Sequence, residues 1–252
     1  MEVRPVGSIP EAVAQMEAIG KSLPPADGVA CFNRMYLAVT EAVGAAVKAG
    51  TFASSTFLDR LDVTFANHYF AALEPPVAGA PGHRCWDVLL NDRSSTDRAP
   101  LQFALAGMSA HINHDLVLAL VETFEEMGLS PSDAAAKSDY DKVNALLDKL
   151  EPGIRKSFGA DLPYAPAELE DAESDGADWT IAAARQAAWE DAEALWLVHT
   201  HPHLRADYED MLDRSVAAIG MCLLLPIAEH SHLPGVPCLR PSSVLKGLRE
   251  AL

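Results

Sequence analysis

The run from about Leu101 to Met127 constrains this chain more than any other feature. Pro100 opens it, where a proline suits the first turn of a helix, and Gly128 stands where a helix stops. Between them the residues are apolar on nearly every side of a helix, the mark of a helix enclosed by others. Yet the middle of the run reads Ala110-His111-Ile112-Asn113-His114-Asp115-Leu116. Three ionisable groups on a core helix are costly unless they are paired or used. At ~100° per residue, Ala104, Gly107, Met108, His111, His114, Asp115, Leu118 and Glu122 share one side, and Asn113 points the other way. The small Ala104 and Gly107 leave room beside His111, so this face is expected to line a pocket.

The rest of the chain supplies enclosing helices. Ser8-Ile9-Pro10-Glu11 is a capping box that starts a helix from about Ile9 to Leu23, stopped by Pro24 and Pro25. A second runs from about Gly28 to Lys48, and a third from about Ser55 to Leu73. Val77 to His83 reads as a Gly/Pro loop. Ser130-Pro131-Ser132-Asp133 starts a short helix, and Asp139 to Leu150 forms another. Ala177 to Thr200 is helical, His201-Pro202-His203 breaks it, and Leu204 to Leu225 is the next helix. Pro226 to Pro241 reads as irregular, and Ser242 to Leu252 as a terminal helix. No stretch alternates at strand period for long. The expectation is an all-α chain: a single multi-helix, bundle-like domain over residues 1–252 with a buried central helix and a mobile acidic loop at about 161–178.

Composition narrows the function classes. The net charge of −17 repels phosphate backbones and anionic membrane surfaces, which excludes nucleic acid as the natural partner and argues against stable membrane association. Polar groups inside the Leu101–Met127 run argue against a membrane span. Met1 to Pro10 holds no apolar signal core. Cys31, Cys85, Cys222 and Cys238 form no Cys-x-x-Cys pair, which suits free thiols in a reducing compartment. The expected setting is therefore cytoplasmic, with a small-molecule substrate as partner. A homo-oligomer is compatible with all of this.

His111 and Asp115, at i and i+4, admit two readings. They are a catalytic pair with His114 beside them, or they satisfy each other and fix packing. A metal variant of the first reading is weaker, because no His-Glu-x-x-His or Glu-x-x-His motif is present. Its ligands would be His111, Asp115, His114 and Asp62, with Asp59 or Glu122 as substitutes. No cofactor is expected, and a metal ion is the alternative. In Phe32-Asn33-Arg34-Met35-Tyr36, Arg34 needs a partner, and Asp59 or Asp62 is the natural one. If the pocket forms, Arg34, Tyr36, Asp62 and Gly107 would bind substrate. The stripe Arg185, Trp189, Ala192 and Trp196 is either core or an apolar pocket wall, and Trp189 is its candidate substrate contact. The tracts His199-Thr200-His201-Pro202-His203 and His230-Ser231-His232 read as exposed histidines rather than sites. There is no Gly-rich phosphate loop, no Gly-x-Ser-x-Gly elbow and no dinucleotide fingerprint.

Five segments together resemble a family of mainly actinobacterial proteins known only as a domain of unknown function. They are Phe32 to Tyr36, Phe57 to Asp62, Leu101 to Met108, Ala110 to Leu116 and Ala184 to Trp189. The resemblance spans roughly Val29 to Pro226, and the His-Ile-Asn-His-Asp string is its most specific part. It implies that these segments belong to one domain, and it supplies no activity. The residues themselves lead to an enzyme of specialised, small-molecule metabolism acting on a largely apolar organic substrate, of cyclase, isomerase or hydrolase type. His111 would be the general acid/base, Asp115 would orient it, and Arg34 or Asp62 would polarise the substrate. The alternatives are a metal-dependent hydrolase or oxygenase, and a non-catalytic binding or scaffold protein. A catalytic pair is expected to tolerate Asp115→Asn with its stability nearly intact.

Overall fold

The computed structural model describes residues 3–75, 83–159 and 181–225. Nine α-helical segments are used below: α1 (Ile9–Ser22), α2 (Gly28–Lys48), α3 (Ser55–Ala72), α4 (Arg84–Asp92), α5 (Pro100–Ala110), α6 (Leu116–Met127), α7 (Ala134–Gly159), α8 (Ile181–Val198) and α9 (Pro202–Leu223). A π-helical turn, His111–Asp115, joins α5 to α6. The chain is all-α, with no strand among the described residues. The acidic loop expected at about 161–178 and the segments expected after Pro226 lie outside the described residues, as do Cys238, His230 and His232.

Local chemistry sets most of these boundaries. The Ser8 side chain accepts the Glu11 amide at 3.4 Å, and Pro10 sits in the first turn of α1. Asp27 accepts the Val29 amide at 2.9 Å and caps α2. Gly128, at φ 65°, closes α6 in the left-handed region.

Three elements depart from the sequence reading. Asp133 accepts the amides of Ala135 and Ala136 at 3.1 and 2.9 Å, so one cap launches a continuous α7 where two helices were expected. Pro202 opens α9 rather than merely breaking α8, because a proline at the first helical position loses no hydrogen bond. Helix α4 was not foreseen. Its N-terminus is capped by Asp213 of α9, whose carboxylate accepts the amides of Arg84 and Cys85 at 3.1 and 2.8 Å. That contact is remote in sequence, so no local pattern announces it.

The α5–π–α6 rod lies at the centre. Helix α2 runs along α5, α3 and α8 cover α6, and α9 crosses α4 and α5. By length and composition Pro100–Met127 is apolar enough to cross a membrane, but 89% of its most apolar window is buried inside the helical shell. One hydrophobic cluster runs from Val6 to Leu224 and draws on every α-helix named above.

Two glycines set how closely α2 and α5 approach. A Cβ on Gly28 would meet the Phe103 ring at 2.8 Å, and one on Gly107 would meet Phe32 at 2.5 Å. The room expected beside Gly107 is therefore filled by Phe32, and Gly107 is a packing residue rather than a substrate contact. We expect Gly107→Ala to destabilise the fold by about 1–3 kcal/mol, since a fully enclosed ring has nowhere to retreat. Chemical denaturation checks this, and an unchanged midpoint would show that the α2–α5 approach does not depend on the glycine.

Candidate functional site

Asp115 is the hub of a polar cluster inside the apolar core. Its Oδ2 accepts from His111 Nδ1 at 2.9 Å and from Trp86 Nε1 at 3.0 Å, and its Oδ1 accepts from His114 Nδ1 at 2.9 Å. All three ionisable residues are buried. The π turn carries them: the Leu116 amide bonds to the His111 carbonyl five residues back, which widens the helix at this string. Such wide turns recur at functional sites.

The electrostatics follow from this geometry. Burial pushes the Asp115 carboxyl up, but hydrogen bonds from His111 and His114 outweigh it and hold the group well below the usual carboxylate range. An ionised carboxylate only accepts, so each ring carries its hydrogen on Nδ1 and leaves Nε2 for another partner. Burial lowers His111 below the ordinary imidazole range, despite the opposing pull of Asp115. The ring is therefore neutral near pH 7, with a lone pair on Nε2. That Nε2 is buried and has no hydrogen-bond partner among the described residues.

Aromatic rings enclose His111. Phe65 stacks on it at 3.5 Å with the planes 5° apart, and Tyr36 meets it edge-on at 4.2 Å. Phe32 lies at 5.5 Å, and Tyr69 and Trp86 at 6.1 Å. Burial, followed by the nearby Asp62 charge, raises the Tyr36 hydroxyl well above its ordinary value and keeps it protonated. Asp62 stands one turn before Phe65 on α3. The residue is half-buried, with Oδ2 enclosed and unpartnered. Burial pushes it up to about 7, against the pull of Arg185.

Of the residues singled out in the sequence, the structure brings together His111, His114, Asp115 and Tyr36. Arg34 lies on the exposed face of α2, on the opposite side of the helix from Tyr36, so it does not reach into the cluster. Asp59 is exposed, and Glu122 binds His68 at 3.1 Å. Trp189 belongs to a second aromatic cluster with Tyr140 and Phe124, at 4.8 and 5.4 Å, and donates to Glu193 at 3.1 Å. Arg185 packs over Tyr140 at 4.0 Å and donates to Asn144 at 2.8 Å. Among the described residues the ligand set expected for a metal does not converge, and both histidines turn Nδ1 to Asp115, which accepts three hydrogen bonds. Instead, His114 meets Cys85 of α4 and Asp213 of α9, with one ligand atom from each within 4.8 Å of the others. The sequence reading missed Phe65, Tyr69, Trp86, Cys85 and Asp213 as site residues. His201 and His203 are exposed, as expected.

The profile of the family of unknown function DUF5995 matches residues 9–226. This chain belongs to that family. The match covers α1 through α9, so every residue of the cluster lies within the family's extent. No curated protein and no solved structure matches the chain.

Two outcomes follow. Asp115→Asn turns one acceptor into a donor that faces a ring N–H or the Trp86 indole inside the buried core. The expected loss is about 1–3 kcal/mol, against the near-neutral substitution that the sequence implies. Equal thermal stability of variant and wild type would show that the hub is dispensable. For Asp62, the folded carboxyl at about 7 lies above its unfolded value of about 3.9. Its contribution is therefore most favourable below about pH 4 and is lost as the pH rises to about 7. Denaturation curves across this window should show wild-type stability falling relative to Asp62→Asn as the pH rises. Parallel profiles would remove Asp62 from the account.

Proposed function

We propose that this protein is an enzyme of small-molecule metabolism in which His111 is the general acid/base and Asp115 its orienting carboxylate. One observation carries the reading: His111 Nε2 is buried, unpartnered among the described residues, and held as an acceptor by the Asp115 bond on Nδ1. A purely structural histidine satisfies both ring nitrogens, since an unpaired buried polar atom costs about 1–3 kcal/mol. A base waiting for a substrate proton leaves one free.

The surroundings favour one substrate class. Phe65, Tyr36 and Phe32 offer ring faces and edges, which suit a small, largely apolar molecule better than a sugar or nucleotide. Tyr36 or Phe65 would have to move aside for a substrate to reach the enclosed His111 ring. Asp62, at about 7 and near Tyr36, supplies a second proton-holding group. Two carboxyls driven apart by their environments is the pattern expected of acid–base assignments. Such chemistry covers isomerisation, cyclisation and hydrolysis. The acidic chain would work in the cytoplasm, away from nucleic acid and anionic lipid.

The test compares wild type with His111→Asn, whose amide keeps a donor near the Nδ1 position while Nε2 is lost. Both folded proteins are incubated with a small-metabolite extract and followed by mass spectrometry. At least one apolar metabolite should be converted by wild type, and at least 100-fold more slowly by the variant. Equal conversion by the two proteins would remove His111 from the chemistry. No conversion by wild type, with His111→Asn largely unfolded, would make the motif core packing.

A further inference from the structure

We propose that Cys85, His114 and Asp213 form a binding site for one divalent transition-metal ion of the zinc class. This site is separate from the His111 lone pair, and the inference does not rest on the acid–base reading.

The three residues come from three different elements, α4, the π turn and α9, and converge with ligand atoms within 4.8 Å of one another. All are buried, with relative exposures of 2%, 5% and 6% for Cys85, His114 and Asp213. A thiol, an imidazole and a carboxylate that meet in the interior are an unusual way to fill a core. Packing alone would be served better by apolar side chains. Zinc takes ligands at about 2.3 Å for sulfur and about 2.0–2.2 Å for nitrogen and oxygen, so its ligand atoms lie about 3.3–3.6 Å apart. Closing from the present spacing needs a contraction of at most about 1.5 Å, within reach of small side-chain rotations.

The outer partners are already in place. His114 Nδ1 donates to Asp115 at 2.9 Å, so a metal would be held through Nε2, in the carboxylate–histidine arrangement that orients metal-bound imidazoles. Asp213 is held by the amides of Arg84 and Cys85 at 3.1 and 2.8 Å, so one ligand is tied to the backbone of another. The Arg84 guanidinium stands 3.8 Å from Asp213 Oδ2 and the Cys85 thiol bonds to the same carboxylate, so a cation would take the place of the thiol proton and share the carboxylate with the helix cap. The donor set decides the metal. A thiolate disfavours magnesium and calcium, and one sulfur with one nitrogen and one oxygen suits zinc and its neighbours. Three protein ligands leave a fourth tetrahedral position.

The experiment uses tag-free, chelator-treated full-length protein titrated with Co²⁺ and then Zn²⁺. The expected result is one Co²⁺ per chain with a thiolate-to-cobalt charge-transfer band that Zn²⁺ displaces. Cys85→Ser should abolish the band, and Asp213→Asn and His114→Gln should weaken binding at least tenfold. A His201→Ala/His203→Ala variant, which removes two exposed histidines, should leave the band intact. X-ray absorption of the zinc-loaded wild type needs no variant and should show one sulfur ligand beside nitrogen and oxygen. No charge-transfer band in wild type, a band unchanged in Cys85→Ser, or a zinc shell without sulfur would each overturn the site.

Discussion

The buried Asp115 carboxylate is the interaction on which the centre of this molecule depends. A lone carboxylate in such a place would take up a proton or unfold the core. Here it stays ionised because three N–H groups converge on two oxygens, from His111, His114 and Trp86. Two of the donors share its own turn of helix, and the third comes from α4. Helix α4 is thereby tied to the rod at Trp86 and to α9 at its N-terminus, where Asp213 caps it. The hub thus fixes where the shortest described helix sits, in a position its own sequence could not secure.

One carboxylate orients two imidazoles in two directions. His111 is turned into an aromatic box, where its Nε2 meets no partner among the described residues. His114 is turned toward Cys85 and Asp213. The two proposed sites therefore share a single counter-charge. A cation on His114 would draw on the same carboxylate that keeps His111 in its Nδ1–H form. Occupancy of one site would then be felt at the other through one side chain, with no movement of the backbone required.

Much of this was legible in the sequence, and what was not has a physical reason. The apolar rod, its proline start and its glycine stop follow from periodicity and capping, so the central helix and most of its neighbours emerge within a residue or two. The His-Ile-Asn-His-Asp string stands out because ionisable groups on an apolar helix demand partners. The partners do not stand out. Trp86, Cys85 and Asp213 lie on helices whose placement depends on contacts across the whole chain. The π turn leaves no mark on hydrophobic periodicity. Gly107 was read correctly as small but with the wrong consequence, because the space it leaves is taken by the facing Phe32 ring. Arg34 shows the same limit: its charge demands a partner, but only the helix's orientation decides whether it faces core or solvent.

The packing around the hub also bears on why a polar centre persists in so apolar a core. Stability alone would favour replacing the two histidines and the aspartate with hydrophobic side chains of similar volume. The surrounding fold instead spends specific features on keeping them in place. Gly107 admits Phe32 against the box, Phe65 lies flat on the His111 ring, and Trp86 offers its one polar atom to the carboxylate. Even so, one nitrogen of His111 and one oxygen of Asp62 remain without partners among the described residues. The Thr64 and Thr123 hydroxyls are also buried without a partner, but neither carries a proton that titrates near neutral pH, whereas an imidazole and a carboxyl do. Their retention beside a carboxylate that accepts three hydrogen bonds is the feature on which the proposed acid–base role rests.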